Sequence, residues 1–226
     1  MILVFLGAPG CGKGTIAKIF EEKLNFCHIS TGDLIRNAIS SNKELGEMLK
    51  QIISNGNLVS DEIVLKLLNE KLKDCSSNLI LDGFPRNLLQ AQKLDEMIKI
   101  DKVVYIDTPY DIIKERLVGR RTCENCGKVY NLDIYNSNTC SCGGKLVQRE
   151  DDTPHIIEKR FKVYEKETMP LVQYYQNQGK LLKVESNSSS NDTFKNILNM
   201  LEVKWCCLLK KIWNLWELQA KLLLKL

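Results

Sequence analysis

The sequence predicts an α/β fold, a doubly wound parallel sheet with helices on both of its faces. Short apolar runs alternate with longer segments in which apolar residues recur every three or four positions, as expected of strands joined by helices. The 226 residues are 44% hydrophobic and 27% charged. This composition is typical of a globular protein with a buried core, and it excludes a disordered or fibrous chain.

The predicted elements follow in order along the chain. The apolar runs that predict strands are residues 2–6, 27–29, 79–81, 103–106 and 181–184. Helical spacing predicts helices over 16–24 and 63–72, and Ser60 precedes the second one as a cap, followed by acids in the first turn. Residues 121–148 are rich in Cys, Asn, Gly and Tyr, and they predict a small β insertion.

The net charge of +4 is unevenly distributed. Five of the 32 basic residues and one of the 28 acidic residues lie in residues 203–226, so the rest of the chain is electrically balanced. A balanced body does not favour binding of nucleic acid. The apolar start of the chain lacks a basic flank and is too short for a signal peptide, and no apolar run approaches the roughly 18 residues of a membrane span. We therefore expect a cytoplasmic protein whose nine cysteines serve metal binding or core packing rather than disulfides.

A glycine-rich segment, Gly-Ala-Pro-Gly-Cys-Gly-Lys-Gly-Thr, lies between the first predicted strand and the first predicted helix. In such a P-loop the backbone N–H groups surround phosphate oxygens, the helix N-terminus adds positive potential, and Lys13 adds a charge. The strict P-loop places Ser or Thr directly after the lysine as a magnesium ligand, whereas here Gly14 precedes Thr15. We therefore expect Mg²⁺ to be held mainly by phosphates and water, with Asp82 and Asp33 behind the waters.

This segment and several later ones resemble the adenylate kinases, the nucleoside monophosphate kinases that move a phosphoryl group between ATP and AMP. The later segments are Ser-Thr-Gly-Asp-Leu-Ile-Arg at 30–36, Gly-Asn-Leu-Val at 56–59, Asp-Gly-Phe-Pro-Arg at 82–86, Gly-Arg-Arg at 119–121 and Arg-Glu-Asp-Asp at 149–152. The match runs in order over about residues 1–202. It implies a core of the P-loop NTPase type over 1–29, 60–118 and 153–202, a helical AMP-binding insert over 30–59 and a small β zinc lid over 119–152.

The resemblance implies Mg²⁺-dependent, reversible transfer from ATP to AMP giving two ADP, carried out by a monomer that maintains adenine nucleotide balance. Because two nucleotides bring several phosphate charges together, the chemistry requires permanent cations with a planar fork of donors. The catalytic residues that the resemblance implies are Lys13, Arg86, Arg120, Arg149 and Arg160.

The resemblance also assigns residues to the two nucleotides. Those implied for ATP are Gly10, Cys11, Gly12, Lys13, Gly14, Thr15, Arg120, Val129 and Tyr130. Those implied for AMP are Thr31, Arg36, Asn57, Leu58, Val59, Gly83, Phe84, Pro85, Arg86, Gln90, Arg149 and Arg160. Tyr130 has a plain alternative as a packing residue of the lid. We expect Asp151-Asp152 either to pair with the arginines as the lid closes or to serve as helix N-terminal acids.

Gln90 carries the choice of base, because a carboxamide can accept from the exocyclic amine of adenine and donate to the adjacent ring nitrogen. The UMP/CMP kinases share the Asp-Gly-Phe-Pro-Arg-Asn segment, so such a kinase remains an alternative, as does an AMP kinase that uses GTP. Gln90 and the long insertion oppose the first alternative. A P-loop or zinc-ribbon protein that binds nucleic acid is the alternative from another class.

Four cysteines of the insertion predict a metal site. Cys123 and Cys126 are separated by two residues, as in a metal knuckle, whereas Cys140 and Cys142 are separated by one where zinc ribbons have two. We expect a trimmed lid that binds one structural Zn²⁺ through four thiolates. The alternatives are reduced, metal-free cysteines, or three ligands with a water or another side chain as the fourth.

Residues 203–226 lie outside the family pattern and hold all three tryptophans of the chain. Their lysines fall on one side of a helix, opposite Trp205, Trp216 and several leucines, which predicts a basic amphipathic C-terminal extension. This pattern is typical of contact with a membrane surface or a partner. It also fits a helix packed on the core, or a terminal sequence foreign to the enzyme.

Overall fold

The computed structural model describes residues 1–41, 43–75, 78–186 and 189–201. The strands, in chain order, are β1 (Ile2–Leu6), β2 (Cys27–Ser30), β3 (Leu79–Asp82), β4 (Lys102–Asp107), β5 (Arg120–Cys123), β6 (Val129–Asn131), β7 (Leu146–Val147) and β8 (Leu181–Glu185). The helices are α1 (Lys13–Leu24), α2 (Thr31–Ser41), α3 (Lys43–Ser54), α4 (Asp61–Leu72), α5 (Leu88–Met97), α6 (Tyr110–Val118), α7 (Pro154–Val163), α8 (Pro170–Asn177) and α9 (Ser190–Met200). A π-helical turn, Tyr164–Thr168, joins α7 to α8.

Five parallel strands form the central sheet in the order β2-β3-β1-β4-β8. Val4 of β1 lies opposite Leu81 on one side and Val103 on the other. Strands β2 and β3 lie on one side of β1, and β4 and β8 lie on the other. The segment after β1 is therefore at the point where the strand order reverses, which is where ligands usually bind in such sheets. The predicted α/β class and the five predicted strands are confirmed, each strand to within one residue at either end.

Alternate residues of β1 enter two separate cores, one on each face of the sheet. Val4 and Leu6 belong to the core that α2, α3, α4, α5 and α8 cover, whereas Leu3 and Phe5 pack against α1 and α9. In the second core the Phe20 ring meets the rings of Phe5 and Phe194 edge to face, at centroid distances of 5.8 and 4.8 Å. Both faces of the sheet are thus buried, which accounts for the continuous apolar run of the first strand.

The predicted β insertion is confirmed as a small antiparallel sheet in the order β6-β5-β7. Its core consists of Cys123, Cys140 and Leu146, with Tyr130 and Tyr135 packed against them. Because such a small number of apolar side chains contributes little hydrophobic stabilisation, another interaction has to hold this sheet together.

The expectation that the cysteines form no disulfides is wrong for one pair. Cys27 of β2 and Cys75, after α4, are joined by a disulfide, with their Cα atoms 5.9 Å apart. The parallel pairing of β2 with β3 brings the start of β2 next to the segment that precedes β3. A separation of 48 residues gives no sign of this approach in the sequence.

Two further predictions concern a helix start and the end of the chain. Ser60 precedes α4 as predicted, but its side chain makes no capping hydrogen bond.

The predicted amphipathic extension over 203–226 lies outside the described residues. Within the described ranges, no helix has the length and apolar character needed to cross a membrane.

Candidate active site

The segment between β1 and α1 forms a tight loop over the start of the helix. Gly12 has a left-handed backbone (φ 102°), a conformation that glycine adopts without steric cost, and α1 begins at Lys13. The Lys13 ammonium donates to the carbonyl oxygens of Gly7 and Ala8, at 2.8 and 2.9 Å. The loop therefore combines a lysine charge with the positive end of a helix, the arrangement that binds phosphate.

Asp82, at the end of β3, lies against the start of α1. A Cβ atom on Gly14 would lie 3.2 Å from Asp82 Oδ2, so a residue with a side chain after Lys13 would crowd this carboxylate. The same Oδ2 lies 3.6 Å from His28 Nε2. Asp82 thus lies beside the phosphate loop, a position compatible with its predicted role behind the magnesium waters.

Asp33, the other acid predicted behind the magnesium waters, forms an ion pair with Arg36 in the first turns of α2. Burial opposes ionisation of this carboxyl, but Arg36, Ser30 and Arg149 together outweigh burial and lower the pKa of Asp33. Asp33 is therefore ionised and paired with Arg36.

The turn after β3 gathers several residues predicted to bind AMP. Thr31 Oγ1 and Arg86 Nε both donate to the Gly83 carbonyl oxygen, each at 2.8 Å. Burial and the neighbouring Arg160 lower the pKa of Arg86 to about 10. The side chains of Phe84 and Val59 lie in the apolar core, so any contact that they make with AMP would come from the backbone.

Gln90 lies in the first turn of α5, and only 2% of its surface is exposed. Its Oε1 accepts from the Arg86 backbone N–H at 2.7 Å, and its Nε2 donates to Asp61 Oδ1 at 2.6 Å. Both ends of the carboxamide are therefore engaged within the protein before any base is bound.

Two carboxylates hold two of the predicted catalytic arginines. Arg120 forms a fork with Asp152 through two hydrogen bonds of 2.7 and 2.6 Å. Arg160 contacts Asp152 at 3.0 Å and Asp151 at 2.8 Å. Asp152 has no exposed surface. The interpretation of Asp151-Asp152 as partners of the arginines is therefore confirmed.

The arginines of the site influence one another. Burial, Arg120 and Arg36 lower the pKa of Arg149 to about 9, although its Nε donates to Thr122 Oγ1 at 2.9 Å. The pKa of Arg160 is likewise lowered by burial and by the charges of Arg120 and Arg36, and Asp151 offsets part of this effect. Such a concentration of like charge favours the binding of a polyanion, which would relieve the repulsion.

The four cysteines of the small sheet come together as predicted. Their sulfur atoms all lie within 4.8 Å of one another, and three pairs are separated by 3.4 to 3.5 Å. Four thiolates around one Zn²⁺ lie about 3.8 Å apart, given a Zn–S distance of about 2.3 Å. A Cβ atom on Gly144 would lie 2.6 Å from Cys123 Sγ, so glycine is needed beside the cluster. The four thiol groups and the distances between them fit zinc, although only one residue, Ser141, separates Cys140 from Cys142.

Tyr130 packs within the lid. Its hydroxyl lies 3.2 Å from Cys140 Sγ, and its ring centroid lies 4.4 Å from that of Tyr135. Val129 beside it is 39% exposed. These contacts fit the packing role that was the alternative for Tyr130, and the assignment of Val129 and Tyr130 to ATP stays a prediction.

The predicted site residues did not include Arg116 of α6. Its guanidinium donates to the Cys11 carbonyl of the phosphate loop and to the Ser186 carbonyl after β8, both at 3.3 Å. Arg116 lies four residues before Arg120, but α6 ends at Val118 and Arg120 begins β5, so helical spacing does not relate the two residues and gave no signal for this contact.

A model of the adenylate kinase family matches residues 5–180, which is most of the chain. The chain belongs to the adenylate kinase family. Similar curated relatives are the adenylate kinases of Clostridium tetani (42% identical over 212 residues, 89% of this chain and 98% of the relative) and Archaeoglobus fulgidus (44% over 214 residues, 89% and 98%). That of Thermodesulfovibrio yellowstonii is 44% identical over 215 residues, 90% of this chain and all of the relative. Membership of the adenylate kinase family does not favour the UMP/CMP kinase, GTP-dependent or nucleic-acid-binding alternatives.

Proposed function

We propose that the chain catalyses reversible phosphoryl transfer from MgATP to AMP, giving two ADP. The observation that carries this proposal is a group of arginines whose charges are close enough to influence one another. Arg36 pairs with Asp33, Arg86 donates to the Gly83 carbonyl oxygen, Arg120 is held by Asp152, and Arg160 contacts both Asp151 and Asp152. A site with one nucleotide needs fewer permanent cations, whereas two nucleotides meeting at their phosphates need charge on both sides.

In the proposed reaction an oxygen of the AMP phosphate attacks the γ-phosphorus of ATP. The bond from this phosphorus to the oxygen that bridges it to the β-phosphate breaks, and ADP leaves with that electron pair. The protein forms no covalent bond, because alignment and charge stabilisation supply the catalysis. Lys13 and the loop N–H groups would hold the ATP phosphates, Arg36 and Arg86 the AMP phosphate, and Arg120, Arg149 and Arg160 the group in transfer.

Two metals belong to the proposal. Adenylate kinases use Mg²⁺ with ATP, and we propose Asp82 and Asp33 as the acids that would hold the waters of the ion, which neutralises phosphate charge during transfer. For the lid, Cys123, Cys126, Cys140 and Cys142 would hold one Zn²⁺. That ion would stabilise the small sheet and take no part in the reaction.

We also propose the division into a core (1–29, 60–118, 153–202), an AMP-binding insert (30–59) and a lid (119–152). Helices α2 and α3 occupy the insert and β5, β6 and β7 occupy the lid, in support of these limits. A closing lid would exclude water, which would otherwise compete with AMP for the phosphoryl group. The partners would be ATP, AMP and ADP, with no nucleic acid, and the working form would be a cytoplasmic monomer.

A coupled assay of ADP formation tests the function. Purified protein is supplied with MgATP and, in turn, AMP, UMP, CMP and GMP at equal concentrations, and then with MgGTP and AMP. We expect kcat/KM for AMP to exceed that for the other acceptors by at least about a hundredfold, since the base site reads an amine and a ring nitrogen together. A preference for UMP or CMP would identify the pyrimidine alternative, and no transfer to any acceptor would refute the proposal.

A further inference from the structure

Asp61 is the first residue of α4, and its carboxylate connects that helix to the start of α5. Asp61 Oδ1 accepts from Gln90 Nε2 at 2.6 Å and from Asn87 Nδ2 at 3.3 Å. Asn87 caps α5 and accepts from the Gln90 backbone N–H at 2.8 Å. Nothing in the sequence pattern assigned Asp61 a role beyond that of an acid in a first helical turn.

These contacts fix the orientation of the Gln90 carboxamide. An ionised carboxylate can only accept hydrogen bonds and a backbone N–H can only donate, so the two ends of the carboxamide cannot exchange places. Gln90 Nε2 has to face Asp61, and Gln90 Oε1 has to face the Arg86 backbone N–H. One N–H and one lone pair of the carboxamide remain for a ligand.

We propose that Asp61 is a positioning residue that makes the acceptor site select 6-aminopurine nucleotides over 6-oxopurine nucleotides. This inference rests on the proposed function, with Gln90 as the residue that meets the base. Adenine presents a donor at its exocyclic amine and an acceptor at N1. Hypoxanthine has the same shape but presents an acceptor at O6 and a donor at N1, so it requires the carboxamide of Gln90 to be reversed.

Reversal places Gln90 Oε1 against the Asp61 carboxylate and Nε2 against the Arg86 N–H. Each of these contacts would join two groups of the same hydrogen-bonding type in a site with little exposed surface, where an unsatisfied polar group is costly. The Arg86 N–H remains when Asp61 is replaced, so discrimination falls without being abolished.

The variant Asp61→Asn tests the role of the carboxylate. An asparagine carboxamide has nearly the same shape, but it can either accept from Gln90 Nε2 or, after its own reversal, donate to Gln90 Oε1. We measure kcat and KM with MgATP and either AMP or inosine 5′-monophosphate as acceptor. We expect the AMP-to-IMP ratio of kcat/KM to fall about tenfold, which is the effect of one hydrogen bond to a charged group. Most of this change should lie in KM, and kcat for AMP should stay within about twofold of the wild-type value.

The matched control is Glu62→Gln, which removes the next carboxylate of the same helical turn. Glu62 is exposed, so we expect this variant to keep the wild-type ratio. Asp61→Ser serves as the second variant if thermal melting shows that Asp61→Asn is unstable, because a hydroxyl group also accepts or donates.

The outcomes separate this inference from the function on which it rests. A ratio that falls in Asp61→Asn or Asp61→Ser and stays constant in Glu62→Gln supports the role of Asp61. Equal losses with AMP and IMP, leaving the ratio unchanged, would show a purely structural role and overturn the inference while the kinase assignment stands. Wild-type protein that transfers nothing to AMP would instead refute the proposed function.

Discussion

Lys13 extends across the phosphate loop, where its ammonium group bonds the Gly7 and Ala8 carbonyl oxygens. In the proposed reaction this charge moves to the ATP phosphates, so its loss removes stabilisation of the transition state. We expect Lys13→Ala to lower kcat by about a hundred- to thousandfold, as does removal of one preorganised donor in other enzymes. Steady-state assay and circular dichroism measure the rate and the fold.

Lys18→Ala is the control, because it removes a lysine from the same helix, outside the loop. We expect it to keep the wild-type rate. A Lys13→Ala variant with near-normal turnover would contradict the role of the loop in phosphate binding.

Asp151 is largely buried and paired with Arg160 at 2.8 Å. Burial would raise the pKa of its carboxyl, but Arg160, Arg120 and Arg149 outweigh burial and lower it. A carboxyl whose pKa is lower in the folded than in the unfolded protein stabilises the fold above the unfolded value of about 3.9, and this contribution is lost as the pH falls below it. Asp151→Asn should therefore cost about 2 kcal/mol of unfolding free energy at pH 7, and less at pH 3.

Urea denaturation of both proteins between pH 3 and pH 7 measures this difference. Acid effects on the rest of the protein cancel in the comparison, since the two chains differ only at residue 151. A difference that stays constant over the whole range would show that the ion pair is not its source.

At the scale of residues, the sequence allowed chemical types to be predicted but not partners. Arg120 and Asp152 are 32 positions apart. Pairing of Asp151-Asp152 with the arginines was one of two interpretations, but which arginine each carboxylate contacts was not predicted. The contact of Gln90 with Asp61 was not expected, since it depends on how α4 and α5 meet and neither helix shows its neighbour in its own pattern.

The lid is the element with the least apolar core, and its four cysteines are the remaining source of stability. If they hold zinc, purified protein should contain about one equivalent, and chelation should lower the melting temperature by roughly 5 °C, which corresponds to the loss of a few kcal/mol in a chain of this size. Atomic absorption and differential scanning calorimetry provide the two measurements.

Cys142→Ser is the informative variant, because it alters the pair with the unusual spacing. Loss of zinc from this variant would show that Cys142 is a ligand. Full zinc content in Cys142→Ser would indicate three cysteine ligands, and absence of metal from the wild-type protein would refute the zinc site.

The strands were predictable at the scale of elements, whereas the contacts between them were not. A strand buried on both faces, such as β1, has a continuous apolar run that is visible in the sequence. The disulfide between Cys27 and Cys75 depends on the pairing of β2 with β3, a long-range contact that hydrophobic periodicity does not encode. The cysteines of the lid were predictable because both pairs have short local spacings.

At the scale of the whole molecule, the predicted site residues lie between Gly10 and Arg160, and the terminal extension over 203–226 contributes none of them. A chain shortened by those 24 residues should keep kcat and KM within about twofold of the full-length values, since every predicted site residue remains in it. The coupled assay compares the two chains. A loss of tenfold or more would show that the extension takes part in folding or in binding.

The architecture as a whole could be predicted from the order of its motifs. A phosphate loop after the first strand, helices between strands and a cysteine-rich insertion suffice for the fold class, because parallel strands need crossover helices. Strand order could not be predicted from periodicity alone, since each strand has the same apolar character and the order depends on packing between distant segments.

The shared use of Asp152 by Arg120 and Arg160 has a consequence for how long nucleotides stay bound. If the nucleotide phosphates bind these guanidinium groups as proposed, a phosphate that takes an N–H already donated to Asp152 would replace one hydrogen bond with another. Such an exchange would reduce ground-state affinity, while both guanidinium charges would stay in the site. A reaction that runs in both directions needs short residence times for all of its nucleotides, and internal competition of this kind would raise dissociation rates without removing a single cation from the site.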